Sequence, residues 1–322
     1  MNNRYIRFIG IFIFIIVSAA LCMTCGDSAD GPSDNGQKEK PQPPTNTITS
    51  PKGIELVLIP DGSFLMGSPD TEEGRVNTET MHQVTLTKSF YIGKYQVTQE
   101  QYLAVMGTNP SNYSGNPAEG EIQEKRPVEH ICWYDMLVFC NKLSALENLT
   151  PAYSLKGSTD PDTWGTVPTS NDSVWDTVEM VTGSTGYRLP TEAQWEYACR
   201  AETTTAYNAP PPNGSNTASA DTGWNTSNSG GMTHQVGLKS PNAWGLYDTH
   251  GNVWELCWDW SGNYASGAQT DPTGPSTGAT RVGRGGAYNQ PASLMRSAHR
   301  NALNPSYRGY YLGFRLLRPY IE

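Results

Sequence analysis

Beyond Cys257 this 322-residue chain has no cysteine, so its C-terminal segment carries no thiol. Of the six cysteines up to that point, four, Cys132, Cys140, Cys199 and Cys257, lie beyond the N-terminal apolar segment and show neither CxxC spacing nor the paired-histidine pattern of a zinc site. They read either as oxidised pairs in an exported protein or as single buried hydrophobes, and the sequence leaves both open. Charge is scarce as well. Only 16% of residues are charged, the net charge is −9, and no contiguous basic stretch exists, which excludes a nucleic-acid partner. There is one long apolar run, residues 8–21, and it is too short for an ordinary membrane span.

What is present instead is backbone irregularity and aromatic mass. With 32 Gly, 23 Pro, 17 Tyr and 9 Trp, the composition favours a loop-rich fold pinned by buried rings over a helix bundle. Arg4 and Arg7 precede the apolar run, and Cys22 and Cys25 follow it, the layout of an export signal with a lipidation site. Cys25 is the better acceptor, because small Thr24 precedes it and Gly26 follows. An uncleaved anchor and a plain secreted protein are the alternatives. Residues 26–52 have almost no apolar content to offset their ordering entropy and read as a flexible tether. Residues 53–322 show no linker and no repeat, and read as one domain.

Within that domain, residues 53–68 read as a hairpin turning at Pro60-Asp61-Gly62, and residues 83–95 as a second strand pair. Thr98 and Gln101 have the spacing of a capping box opening a helix that stops at Gly107. Residues 127–149 contain a second helix with Met136, Cys140 and Leu143 on one stripe. Thr191 and Gln194 cap a third, with Tyr197 and Ala201 on its buried face and Trp195 at its edge. Long loops at 151–186 and 203–231 complete an α+β reading with short strands and much coil.

Six segments, in order, resemble the formylglycine-generating-enzyme-like (FGE-sulfatase) family. They are Ile59-Pro-Asp-Gly-Ser-Phe-Leu-Met-Gly67, Tyr95-Gln-Val-Thr-Gln-Glu-Gln-Tyr102 and Arg126-Pro-Val-Glu-His-Ile-Cys-Trp133, then Tyr187-Arg-Leu-Pro-Thr-Glu-Ala-Gln-Trp-Glu-Tyr-Ala198, Asn242-Ala-Trp-Gly-Leu-Tyr-Asp-Thr-His-Gly-Asn-Val-Trp-Glu255 and Leu312-Gly-Phe-Arg315. The resemblance implies an irregular, C-type-lectin-like α+β fold without implying the enzyme's chemistry. In the family's oxidase two cysteines after a Gly-Gly pair hold copper. Here Gln290 and Met295 stand at the matching positions after Gly285-Gly286, and an amide and a thioether do not make a thiolate site. The five histidines, His82, His130, His234, His250 and His299, are scattered, which speaks against the family's iron-dependent members. The implied reading is therefore not an enzyme. An FGE-like oxidase or a periplasmic activity-modifying factor is the alternative, and a structural envelope lipoprotein a third.

Residues 281–318 also resemble the variable proteins of diversity-generating retroelements, ligand binders in which a constant Arg/Gly frame separates changeable blocks. Carried over, the blocks contain Tyr288, Tyr307, Tyr310 and Tyr311 as rigid amphipathic area. Asn289, Gln290, Ser293, His299 and Asn301 serve as adaptable donors and acceptors. Leu294, Met295 and Leu303 form an apolar centre, and Pro291, Ala302 and Gly309 complete the blocks. That mixture is what a paratope uses. The frame residues Arg281, Arg284, Arg296, Arg300 and Arg308 are expected to pair with carboxylates and loop carbonyls, and Gly285-Gly286 marks a close backbone approach. The family resemblance further implies a structural calcium ion, held by the side chains of Asp248 and Glu255 and the carbonyls of Gly251 and Val253. The whole reads as an exported, surface-displayed lipoprotein, anchored by lipid to the bacterial outer membrane or cell surface, that binds a macromolecular ligand through its C-terminal face.

Overall fold

The structure, a computed structural model, describes residues 47–208, 218 and 220–321; the export signal, Cys25 and the tether as far as residue 46 lie outside them. Among the described residues, thirteen short strands and three α-helices follow one another. They are β1 (Thr47–Thr49), β2 (Glu55–Ile59), β3 (Gly62–Met66), β4 (His82–Leu86), β5 (Phe90–Gly93), α1 (Gln99–Met106), α2 (Trp133–Leu146), β6 (Tyr153–Ser154), β7 (Glu179–Met180) and α3 (Glu192–Arg200). The rest are β8 (Trp254–Trp260), β9 (Gln269–Thr270), β10 (Arg281–Arg284), β11 (Arg300–Leu303), β12 (Leu312–Gly313) and β13 (Leu317–Pro319). The α+β reading holds, and the three helices read from the sequence all form.

Both expected hairpins are corrected. β2 and β3 do not pair with each other, nor do β4 and β5: one sheet runs β1-β2-β5-β13 and another β3-β4-β9. The continuous apolar run of β2 buries Leu56 through Ile59, which requires cover on both faces: Leu56 joins one hydrophobic cluster, Val57 and Ile59 another. Alternating β3 is half exposed and pairs with β4 instead. Pro60-Asp61-Gly62 is thus a corner between sheets, tied to the β4–β5 corner where Ser89 Oγ donates to Asp61 Oδ1 at 2.9 Å. The tether is also shorter than expected, because Thr47–Thr49 already pairs with β2.

The capping boxes form as the local chemistry dictates. Thr98 and Gln101 cap α1, which ends on left-handed Gly107, and Thr191 and Gln194 cap α3. α2 is buried on nearly every side, so the apolar stripe is a complete coat: Trp133, Met136, Leu137, Cys140 and Leu143 all sit in the main hydrophobic cluster. Trp195 is not at the edge of α3; it is buried, and its indole N–H donates to Glu255 Oε2 at 2.7 Å. The sheet that matters for function runs β11-β10-β8-β12. It gathers Arg281–Arg284, Arg300–Leu303 and Leu312–Gly313 around tryptophan-rich β8, so frame residues Arg281, Arg284, Arg300, Leu312 and Gly313 lie on strands, block residues Asn301, Ala302 and Leu303 ride on β11, and the other blocks lie in the connections.

Candidate ligand-binding face

Sequence spacing set the frame arginines apart from the blocks, and burial separates them again. Arg284, fully buried on β10, donates to the carbonyls of Ser297 (2.7 Å), Ala298 (2.9 Å) and His299 (3.1 Å) while pairing with Glu196 and Glu192 of α3. Arg296 reaches both oxygens of Glu79 (2.7 and 2.8 Å), Glu72 (2.6 Å) and the Gly74 carbonyl (2.6 Å). Arg300 grips Glu192 through two bonds of 2.8 and 2.6 Å. Arg308 holds Asp135, which in turn accepts the Cys132 N–H at the start of α2. Such planar, multiply bonded pairs position loops more firmly than lysine would. Arg281 departs from the expectation of a carboxylate partner. Its guanidinium lies 3.6 Å from the Trp133 ring and 3.3 Å from that of Trp260, donates to Trp258 O, and is pulled down to a pKa of about 9 by burial.

The block residues divide into two groups. Tyr310 (48%) and Tyr307 (39%) are exposed, as are Asn289, Pro291, Ser293 and Ala302. Gln290, Leu294, Asn301, Leu303 and Tyr311 are half-buried, and Leu294, Leu303 and Tyr311 rest on the cluster around α2. The Tyr307 and Tyr311 hydroxyls share a 2.7 Å hydrogen bond, and Tyr310 leans on His130 with ring centroids 4.8 Å apart. The buried amide oxygen of Gln290 has no partner among the described residues.

Four residues assigned to the face are buried, and the assignment is corrected. Tyr288 turns inward, its ring edge-on to Tyr113 and its hydroxyl 2.9 Å from the Tyr113 hydroxyl. Met295 is fully buried with Ala206 and Tyr207 and packs where Gly251 leaves room; a Cβ there would stand 2.8 Å from its sulfur. His299 lies between Arg296 and Glu79, at 3.4 and 3.3 Å. Gly309 spends its carbonyl on the N–H groups of His130 and Leu312. Residue chemistry alone does not distinguish a core Met or His from a contact one.

The cysteine question closes on free thiols: Cys132, Cys140, Cys199 and Cys257 are all buried and unpaired with one another. Burial pushes every thiol up, Cys199 to about 11 and Cys132 to about 12, so none is a thiolate near neutrality. Cys199 and Cys257 both meet the C-terminal segment, packing in one cluster with Val282, and the Cys199 sulfur lies 3.8 Å from Ser297 Oγ.

Beneath the face runs the loop of residues 248–255. The carbonyl oxygens of Asp248, Gly251 and Val253 and the Glu255 Oε1 converge on one atom, the side-chain amide nitrogen of Gln96, at 3.1, 3.3, 3.1 and 3.0 Å. Gly251, Val253 and Glu255 are three of the residues the resemblance names as calcium ligands, and here their oxygens accept from the Gln96 amide. Asp248 does not contribute its carboxylate: Oδ2 accepts the Gly237 N–H at 2.7 Å, and its main-chain oxygen faces the centre instead. The four oxygens are hard donors of the kind Ca²⁺ takes, but the point they converge on is held by the Gln96 amide nitrogen, which hydrogen-bonds to all four. Gln96 was missed by sequence reading, since no local pattern links residue 96 with residue 248.

The fold and this arginine-braced sheet define a C-type-lectin-like α+β domain. A family model described as Sulfatase-modifying factor enzyme 1-like domain matches residues 40–320, and the chain belongs to that family. The solved structure of Treponema denticola variable protein 1 matches with a TM-score of 0.76 and 38% identity, over 85% of this chain and 99% of that one. Chaperone protein LppX of Paenibacillus barcinonensis is 33% identical across 82% of this chain and 89% of its own length. The formylglycine-generating enzyme of Thermomonospora curvata is 28% identical across 81% of this chain and 92% of its own length. Of the serine/threonine-protein kinase pkn1 of Chlamydia caviae, 32% identical, the chain spans only 38%. Proteins named for chemistry and proteins named for other roles thus share the domain, and the side chains must decide between them.

Proposed function

We propose that this protein is an exported, lipid-anchored binder that captures a macromolecular ligand through the exposed residues of its C-terminal blocks and performs no chemistry. The observation that carries the reading is the split just described: Arg284 and Arg296 are buried and multiply bonded, Arg300 and Arg308 are half-buried and held by carboxylates, and Arg281 is buried against tryptophan rings, while Tyr307, Tyr310, Asn289, Pro291, Ser293 and Ala302 stand in solvent. Exposed tyrosines beside small polar residues give contact area at low entropy cost. The half-buried Leu294, Leu303 and Tyr311 supply an apolar centre for such a patch. The oxidase alternative needs two adjacent thiolates, and the matching positions carry a half-buried amide, Gln290, and a core thioether, Met295. Export and lipidation rest on the head of the sequence, with Cys25 as the acceptor, and similarity to the variable protein and to LppX is in keeping with them. No helix among the described residues is long and apolar enough to cross a membrane.

The test is a double variant, Tyr307→Ala with Tyr310→Ala, compared with the native chain in capture of surface macromolecules from the source cell and its neighbours. Loss of two exposed aromatic anchors is expected to weaken capture by roughly 100-fold or more while the melting temperature moves by only a few degrees. Undiminished capture by the variant would overturn the reading, as would turnover of a cysteine-containing peptide by the copper-treated native chain.

A further inference from the structure

The long connection from β8 to β10, residues 261–280, is pinned at its ends, where Ser261 N–H donates to Thr280 O at 2.7 Å. Within it β9 pairs with β4, and between this connection and the first turn of α3 lies a cavity of about 260 Å³. That is below the roughly 300–1,000 Å³ of drug-sized sites, so only a small molecule fits. One end of the cavity is polar. Asp259 is 3% exposed; its Oδ2 accepts the Glu192 N–H at 2.8 Å, at the start of α3, while Oδ1 has no hydrogen-bond partner among the described residues. Gly274, at φ +75°, passes so close that a Cβ there would stand 2.8 Å from Asp259 Cβ and 3.1 Å from that open oxygen.

The neighbouring buried carboxylates all have cations: Glu192 has Arg300, Glu196 has Arg284 and Arg200, and Glu255 has Arg315. Asp259 has no ion pair among the described residues. Arg300 also borders the cavity, but its N–H groups are spent on Glu192 and on the Thr78 and Gly262 carbonyls. Arg281 is turned onto the rings of Trp133 and Trp260. A buried carboxylate without a cation is costly, and burial, with Glu192 nearby, pushes the Asp259 carboxyl up to about 7. The walls are mostly apolar: Trp260, Met66, Pro275, and the rings of Tyr264 and His82, 4.5 Å apart.

We infer that this cavity binds a small primary amine in its ammonium form, carried on a short apolar or aromatic body, with the ammonium donating to Asp259 Oδ1. Such a ligand supplies what the site lacks: charge for the lone carboxylate, a donor for its open oxygen, and apolar surface for the walls. None of the exposed block residues lines the cavity, so the inference goes beyond capture at the C-terminal face and does not depend on it.

The experiment titrates benzylamine, and separately benzyl alcohol as its uncharged counterpart, into the purified chain near neutral pH, by calorimetry and with the Gly274 amide followed by NMR. Benzylamine should bind at millimolar concentration or below, roughly tenfold or more tightly than the alcohol, and should shift the Gly274 amide. Asp259→Asn keeps a side-chain oxygen to accept the Glu192 N–H, so α3 stays capped and the melting temperature should move by only a few degrees. That variant should bind benzylamine roughly tenfold or more weakly than the native chain and lose the preference for amine over alcohol. If the variant does not fold, the two probes on the native chain decide alone. Equal affinities for the amine and the alcohol would overturn the proposal, as would the absence of benzylamine binding at millimolar concentration or binding that leaves the Gly274 amide unmoved. Native amine affinity in Asp259→Asn would overturn it too, leaving Asp259 a helix cap and nothing more.

Discussion

Replacing Arg284 by methionine is expected to cost about 3–5 kcal/mol of folding stability, the usual penalty for stripping one partner from a buried charge pair. The side chain is fully buried. It pairs with Glu196 and Glu192 and donates to three successive carbonyls, those of Ser297, Ala298 and His299. Methionine fills much of the volume but leaves those carbonyls without donors, and Glu196 keeps only Arg200 and the Gly67 N–H. Lysine should rescue little, since one ammonium on a flexible stem does not reproduce a planar fork spanning a carboxylate and three carbonyls. Urea unfolding of the two variants beside the native chain measures this. A loss under about 1 kcal/mol would mean that the 297–299 segment is held by something else.

Arg296→Met should be comparably damaging, about 3–5 kcal/mol at neutral pH, with a pH signature set by Glu79. Burial acts to raise the Glu79 carboxyl, but hydrogen bonds from His299, Arg296 and Ser68 outweigh it and hold the group well below its ordinary value of 4.5. A carboxyl whose folded pKa lies below its unfolded one contributes stability that is complete above the unfolded value and is lost as pH falls through the folded one. Removing Arg296 takes away much of that contribution. The stability gap between native and variant should therefore be widest at pH 7 and narrow as the pH falls toward 3. A gap that stays constant over that interval would separate Arg296 from the ionisation of Glu79.

The helix caps were legible because their chemistry is local: Thr98 with Gln101, and Thr191 with Gln194, lie within one turn of chain. The frame arginines were legible as braces because their spacing broke the mixed blocks, though Arg281 found tryptophan faces where a carboxylate was expected. Strand partners were not legible, since the Pro60-Asp61-Gly62 corner has the same composition whether the chain turns back or passes to another sheet. The inward set, Tyr288, Met295, His299 and Gly309, could not be told from the outward one by residue type. For Met295 the signal lay elsewhere, in Gly251 and Gly286, whose missing side chains make its room. Gln96 was hidden for a related reason: its partners are more than 150 positions away in sequence.

The central claim is that this segment is a rigid skeleton carrying exchangeable groups. The most direct measurement is the melting temperature of a set of variants in which Asn289, Pro291, Ser293, Ala302, Tyr307 and Tyr310 are replaced together by unrelated residues. Surface positions free of structural duty shift stability by about 0.5 kcal/mol or less each, in either sign, so the account predicts melting temperatures scattered within a few degrees of the native value. Uniform losses of 15 degrees or more across the set would contradict it, because they would make these side chains part of the core.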